Sequence, residues 1–327
     1  MSKLHFLNVR RGDCTIIEHN IGHCSVIDIC AGNFVYTAKS FVQQERLGSV
    51  RGNFQMCNNP TNPVSYLNDI NVSNIFRFIL THPDMDHLDG FKNLIEKFEL
   101  LNFWDSGLRK EKPDFGNGTY KEEDWDAYEN VRDGSTTKVL KIVSGSTGKY
   151  YNQNEDGKLG GDGLYILAPD QNLIDQANES GNTNDGSYVL LYRSPGGNIL
   201  IPGDAQEMTI DYLLSNHSSD ISNCDVLLAP HHGRKIDNLG QFLDVVRPSI
   251  SFIGCGESEN LAYDYWRNRD LPFITNNQAG NIVLECNDGY IDLYIENSSF
   301  AEKLEGIDLS NTNSQGYVHI FKLESKN

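Results

Sequence analysis

A chain of 327 residues with 39% apolar and 22% charged content has the profile of an ordinary soluble globular protein, leaning polar, and is long enough for one large core or two smaller ones. Its 27 basic against 45 acidic residues give a formal net charge of −18, which opposes nucleic acid and anionic membranes at long range, so an anionic substrate would need local basic groups or metal ions. There is no run of about 18 apolar residues to span a membrane, and the opening MSKLHFLNVRRGD turns polar too soon for a secretory signal.

The chain opens with strand-like runs. LHFLNV (4–9) and CTIIEH (14–19) flank RRGD, and CSVIDIC (24–30) follows a turn at 20–22, which reads as a β-meander. Residues 31–74 are polar and aperiodic, an excursion with one short helix at most. IFRFIL (75–80) is a nearly continuous apolar run, as in a strand buried on both faces. Phe91, Leu94, Ile95 and Phe98 then recur at helical spacing. A second polar excursion covers 102–163. Strand runs return at 163–170, 187–194, 198–204 and 224–233, with helical spacing at Ala205, Met208 and Tyr212 and again from Leu239 to Val246. SISFIG, PFITNN, NIVLEC and YIDLYI are read as the closing strands.

Seven cysteines are present, an odd number with no Cys-x-x-Cys pair, and several lie in apolar runs. They are expected to be buried free thiols of a protein in the reducing cytoplasm.

The densest chemistry lies in THPDMDHLDG (81–90). His82, Asp84, Asp86, His87 and Asp89 crowd together with no Lys or Arg among them. Such a cluster costs stability unless a cation compensates. It is either a solvated turn, with Asp89 capping the next helix, or a metal site. Apolar strands also run into Asp28, Asp204 and the pair His231–His232. Loops at one sheet edge can gather such residues. Mixed imidazole and carboxylate donors suit Zn, Mn or Fe. A pair of ions would need a bridging carboxylate, for which Asp204 is the natural candidate.

Arg234 and Lys235 could grip a phosphate or start a solvated helix. Arg10 and Arg11 read as an exposed hairpin turn. Trp104, Trp125, Tyr120 and Tyr128 could stack on a substrate ring but suit packing better. The remaining histidines, His5, His19, His23, His217 and His319, read as structural or surface groups. No Gly-x-Ser-x-Gly elbow or phosphate-binding Gly loop occurs, which disfavours a serine hydrolase or NTPase.

Taken together, FLNVRRGDCTII, VIDICAG, LTHPDMDHLDG, NTNDGSYVLLY, LIPGD, APHHG, SFIG and TNNQAGNIVLECNDGYIDLYI resemble the metallo-β-lactamase superfamily. The nearest look is to the hydrolase domain of ComEC-type DNA-uptake proteins and their free-standing soluble relatives. The resemblance implies a single α/β domain over 1–327, a four-layer αββα sandwich with sizeable inserts at about 33–74 and 102–163. It implies two divalent ions, Zn or Mn, held by His82, Asp84, Asp86, His87, Asp204 and His232. Asp86 and His231 would act in catalysis, with His231 a ligand or the proton donor. Asp28 and Asn184 would support the ligands from behind. Arg234 and Lys235 would bind substrate. The sequence departs from the family pattern where Asp84 replaces a His, where a third-motif His is missing, and where Arg10-Arg11-Gly12-Asp13 and Arg234 stand in altered motifs. The implied function is a metal-dependent hydrolase, a phosphodiesterase acting through metal-activated water on a small or short phosphodiester. A nuclease on DNA or RNA, or a catalytically weak binding protein, is the alternative. No membrane partner is expected.

Overall fold

The computed structural model describes residues 1–34, 52–116, 118–256 and 260–326. The part of the first excursion at 35–51 lies outside the described residues.

The first half of the chain builds one sheet. Strands β1 (Ser2–Phe6), β2 (Thr15–Glu18) and β3 (Cys24–Ile27) form the expected antiparallel meander. After α1 (Pro63–Asp69), the short β4 (Asn74–Ile75) pairs apart from this sheet, with β6 (Glu99–Leu100). Strand β5 (Arg77–Ile79) joins β3 in parallel, Ile27 facing Ile79. Helix α2 (Phe91–Lys97) follows. Strand β7 (Asn102–Trp104), helix α3 (Glu122–Asp133) and strand β8 (Lys138–Leu140) come next.

The second sheet begins with β9 (Leu164–Ala168). It continues through α4 (Gln171–Ser180), β10 (Val189–Ser194), β11 (Gly197–Ile201), α5 (Glu207–Asn216), α6 (Ser218–Ile221) and β12 (Val226–Leu228). It ends with α7 (Leu239–Val246), β13 (Ile250–Ile253), α8 (Tyr263–Arg267) and β14 (Phe273–Thr275). After α9 (Asn276–Ala279), β15 (Ile282–Asn287), β16 (Tyr290–Ile295) and, past α10 (Ser298–Ala301), β17 (Val318–Glu324) return to the first sheet. The first sheet runs β17-β16-β15-β1-β2-β3-β5-β7-β8, the second β14-β13-β12-β11-β10-β9.

Three apolar layers fix the stacking. Leu4, Ile17, Ile27, Ile79 and Trp104 of the first sheet meet Ile166, Leu190, Ile199, Val226 and Phe252 of the second. On the far side of the first sheet, Val26, Phe78 and Phe103 pack with Leu67, Phe91, Leu94, Trp125 and Tyr128 of α1 to α3. Leu191, Leu200 and Leu227 do the same with Leu173, Ile210, Leu213, Phe242 and Trp266 of α4, α5, α7 and α8. The result is the expected αββα sandwich. Central strands buried on both faces explain why their sequences read as unbroken apolar runs.

Several expectations are corrected. The 102–163 stretch is not all excursion, since β7 and β8 belong to the first sheet and α3 to its outer layer. Its helix carries Trp125, Tyr128 and Val131 on one buried face, a spacing masked by many acidic neighbours. Trp104, Trp125 and Tyr128, in keeping with the packing role expected of them, are core residues. Strand β17 was not foreseen, because its outer half alternates with exposed polar residues. Asp89 does not cap α2. That helix starts after Gly90 (φ 101°), and the α3 residue Asp124 accepts hydrogen bonds from the Gly90 and Lys92 amides at 3.0 and 2.9 Å. Asp89 instead accepts from the Ala31 amide and from Asn33. Cys57 and Cys255 form a disulfide, with Cα atoms 6.0 Å apart, whereas Cys14, Cys24, Cys30, Cys224 and Cys286 are buried free thiols. The expectation of free thiols in a reducing compartment does not hold for that pair. Among the described residues, no helix is long and apolar enough to cross a membrane.

Candidate metal centre

Parallel strands from both sheets end at one edge of the sandwich. Asp28 follows β3, Thr81 and His82 follow β5, Asp204 follows β11, and His231 and His232 follow β12. The β1–β2 turn adds Asp13. That turn packs directly on the Asp84–His87 loop. A Cβ at Gly12 (φ 92°) would stand 1.9 Å from the Asp86 carbonyl oxygen, so the close approach requires glycine there.

One ligand atom from each of Asp86, His87, Asp204 and His232 lies within 4.8 Å of the others. The pairwise distances are consistent with a shared centre. His87 Nε2 is 3.4 Å from Asp204 Oδ1, and His232 Nε2 is 3.3 Å from Asp204 Oδ2 and 3.7 Å from Asp86 Oδ2. The other ring nitrogens are held from behind. His87 Nδ1 pairs with Asp28 Oδ2 at 2.8 Å, and His232 Nδ1 with Asp13 Oδ1 at 3.1 Å. Asp28 also accepts from the Thr81 amide and hydroxyl, and that hydroxyl is 3.1 Å from His82 Nδ1. Each imidazole thus turns the same atom, Nε2, toward the centre.

Among the described residues, those inward atoms lack hydrogen-bond partners. Nε2 of His82, His87 and His232 and Oδ1 of Asp204 are all buried and unsatisfied. Buried polar atoms are rarely left so, and those of His87, His232 and Asp204, gathered at one point, fit a bound cation.

The electrostatics agree. Burial opposes charge on Asp204, yet His232 and His87 hold its carboxyl far below the usual range. Burial likewise opposes ionisation of Asp86, but His87 and His232 win and lower its pKa. Burial disfavours charge on His87 and His232 too. Asp204 and Asp28 overcome it at His87, and Asp204 and Asp13 at His232, so both are raised. A divalent ion would displace the protons on these two imidazoles. His82 is lowered by burial and by neighbouring His87.

The remaining expected site residues divide into those that converge and those that do not. His231 and His232 both have left-handed backbone, φ 49° and 55°, uncommon for residues with a Cβ. The kink sends His232 inward. His231 sits at the rim, 12% exposed, with Nδ1 3.1 Å from Gln206 Nε2 and Nε2 3.6 Å from Asp204 Oδ2. His82 Nε2 is 4.0 Å from Asp204 Oδ2 and 3.9 Å from Asp84 Oδ1, outside the convergent four. Asp84 is engaged elsewhere, by Lys110 Nζ at 2.5 Å and the Thr183 hydroxyl at 3.1 Å. Thr183, rather than Asn184, supplies the hydrogen bond from the Thr183–Gly186 turn to this site. Arg234 reaches His231, with its NH1 3.4 Å from Nε2, while Lys235 is exposed. Sequence reasoning missed Asp13, Thr81, Lys110 and Thr183. Asp13 was visible only as a departure from a motif, and Lys110 lies in a segment with no pattern. Beside the centre, Asp84, Asp86, Lys110, Pro113, Phe115 and Tyr120 line a pocket of about 260 Å³.

No family model and no curated protein matches the chain. Among solved structures, it is similar to Igni18, described as a novel metallo hydrolase from the archaeon Ignicoccus hospitalis, at 10% identity and TM-score 0.47, covering 87% of this chain and 99% of that one. It is also similar to Tm1679, described as a metal-dependent hydrolase of the β-lactamase superfamily, at 13% identity and TM-score 0.46 over 88% and 100% of the two chains. A third likeness is to YhfI, a metallo-β-lactamase fold protein from Bacillus subtilis, at 9% identity and TM-score 0.45 over 87% and 100%. At such values these likenesses carry no argument about activity.

Proposed function

We propose that this chain is a metal-dependent hydrolase of the metallo-β-lactamase type, acting on a small or short phosphodiester. One observation carries the reading: buried, unsatisfied donor atoms of His87, Asp204 and His232 facing a common point, with the two rings braced by Asp28 and Asp13. Asp86, His87, Asp204 and His232 would hold a divalent ion, Zn or Mn. Bound there, the ion would supply a Lewis acid for the phosphoryl oxygen and make water acidic enough to attack near neutral pH. The protein's own groups do the rest. Asp86 keeps its side chain 28% exposed and orients the attacking water. His231, its pKa lowered by burial, would take up at Nε2 the proton released by the attacking water and pass it to the leaving oxygen. Arg234 beside it steadies the substrate anion, with Lys235 further out. His82 Nε2, 4.0 Å from Asp204 Oδ2, stands at the edge of this set.

The pocket beside the centre, about 260 Å³, has room for a small ester. Its basic lining residue is Lys110, and its Phe115 and Tyr120 could face an apolar or ring portion of the substrate. A long duplex needs an extended basic surface, which a chain of net charge −18 is poorly suited to provide. The test is competition between plasmid DNA and a panel of small phosphodiesters under Zn and Mn. Turnover of a small ester that Asp204→Ala abolishes is the expected result. Efficient plasmid degradation at physiological salt, with no small ester turned over, would favour the nuclease. No turnover of either, with metal bound, would favour the binding protein.

A further inference from the structure

The two halves of the centre are unequal. Around Asp204, His87 and His232, no Lys or Arg of the described residues pairs with the inward atoms. A second ion would have to use His82 Nε2, Asp84 and the other side of Asp204. Yet the Asp84 oxygen nearest His82, Oδ1, already receives an ammonium hydrogen bond from Lys110 and a hydroxyl hydrogen bond from Thr183. A carboxylate oxygen so occupied is a poor metal ligand. A divalent ion bound to it would also sit next to the Lys110 ammonium, whose positive charge repels it.

Lys110 is not there by accident of an extended side chain. Its neighbour Arg109 is tied by its guanidinium to Asp105 and the Leu108 carbonyl and by its amide to Asn178 Oδ1 at 2.7 Å. Those ties hold the segment between β7 and α3 against the site. Lys112, two residues on, turns away to Glu122 and Asp126. Lys110 also lines the pocket beside Asp86.

From this geometry we infer that the centre takes one divalent ion and that Lys110 stands in place of a second. Its ammonium neutralises Asp84 and presents a fixed positive charge to the substrate's phosphoryl oxygen. The inference rests on the metal-hydrolase reading and goes beyond it in assigning the second cation to the chain itself.

The test uses the full chain, stripped with EDTA, reloaded with excess Zn or Mn, desalted and analysed for metal per chain. Wild type should retain one equivalent. Lys110→Met, which keeps the side chain's length and removes its charge, should retain two, and Lys112→Met should remain at one. Electron paramagnetic resonance of the Mn forms should show isolated ions in wild type and an exchange-coupled pair in Lys110→Met. Asp84→Asn should keep the first equivalent, and this holds the inference to account even if Lys110→Met fails to fold. Two equivalents in wild type, one in folded Lys110→Met, or loss of the ion from folded Asp84→Asn would each overturn the inference while leaving the metal-hydrolase reading standing. No metal in any form would overturn both.

Discussion

At the scale of single residues, the site depends on groups that never face the centre. Asp28 holds His87 Nδ1 and the Thr81 hydroxyl together, so one carboxylate orients one imidazole directly and, through Thr81, braces a second. Removing such a brace typically costs 10–100-fold in metal affinity. Asp28→Ala should therefore weaken Zn binding by about that factor in a chelator competition, and an unchanged affinity would show that the ring needs no brace. A different buried histidine should contribute to the pH dependence of stability. His19 lies at the opposite end of β2 with Arg77, Ser25 and Asp162. Burial is the main cause that lowers its pKa from 6.5 to about 3, helped by Arg77 and opposed by Asp162. A base with a lowered folded pKa binds fewer protons folded than unfolded between those values. Its contribution to stability is thus intact above about pH 6.5 and is lost as pH falls toward 3. Denaturant melts across that window should show a slope of up to ~1.4 kcal/mol per pH unit from this group, and His19→Asn should flatten it. An identical slope in the variant would assign the loss to other groups.

At the scale of elements, strands form a rigid frame and loops carry chemistry. Ile79 is fully buried in β5, one turn of chain before His82, and packs between the two sheets. Ile79→Ala should cost ~2–5 kcal/mol in urea unfolding through the cavity it leaves. By contrast, Asp204→Ala removes a side chain in the loop after β11. It should lose metal while largely retaining its far-UV circular dichroism. Equal loss of fold in both variants would mean that Asp204 is part of the frame. Helix α3 has a role of its own, because Asp124 caps α2 from outside and so holds the helix directly after the ligand loop. This cap could not be read locally, since 34 residues separate Asp124 from Gly90.

At the scale of the whole molecule, the Cys57–Cys255 disulfide joins positions 198 residues apart. It ties the segment before α1 to the loop after β13, whose Gly254 lies next to His232. Closing so long a loop restricts the unfolded chain, and loss of such a bridge typically costs 2–5 kcal/mol. Reduction, or Cys57→Ser with Cys255→Ser, should lower Tm by several degrees, read by calorimetry with and without reductant. An unchanged Tm under full reduction would show that packing alone secures this corner.

By itself the amino-acid sequence determined the strand-rich α/β pattern and offered candidate metal-ligating residue types, because both are written locally. Strands buried on both faces need continuous apolar runs, and clustered carboxylates beside imidazoles suit a cation unless they are solvated. His82, Asp86, His87, Asp204 and His232 were therefore legible as candidates before any fold was known. Only the tertiary structure decided which of them converge, because convergence depends on strand order and on turns from distant parts of the chain. It brought Asp13 behind His232 across 219 residues of sequence. It separated His231 from His232 through a backbone kink. It set Lys110 on Asp84, so that a carboxylate with the spacing of a ligand is already paired with an ammonium from another loop.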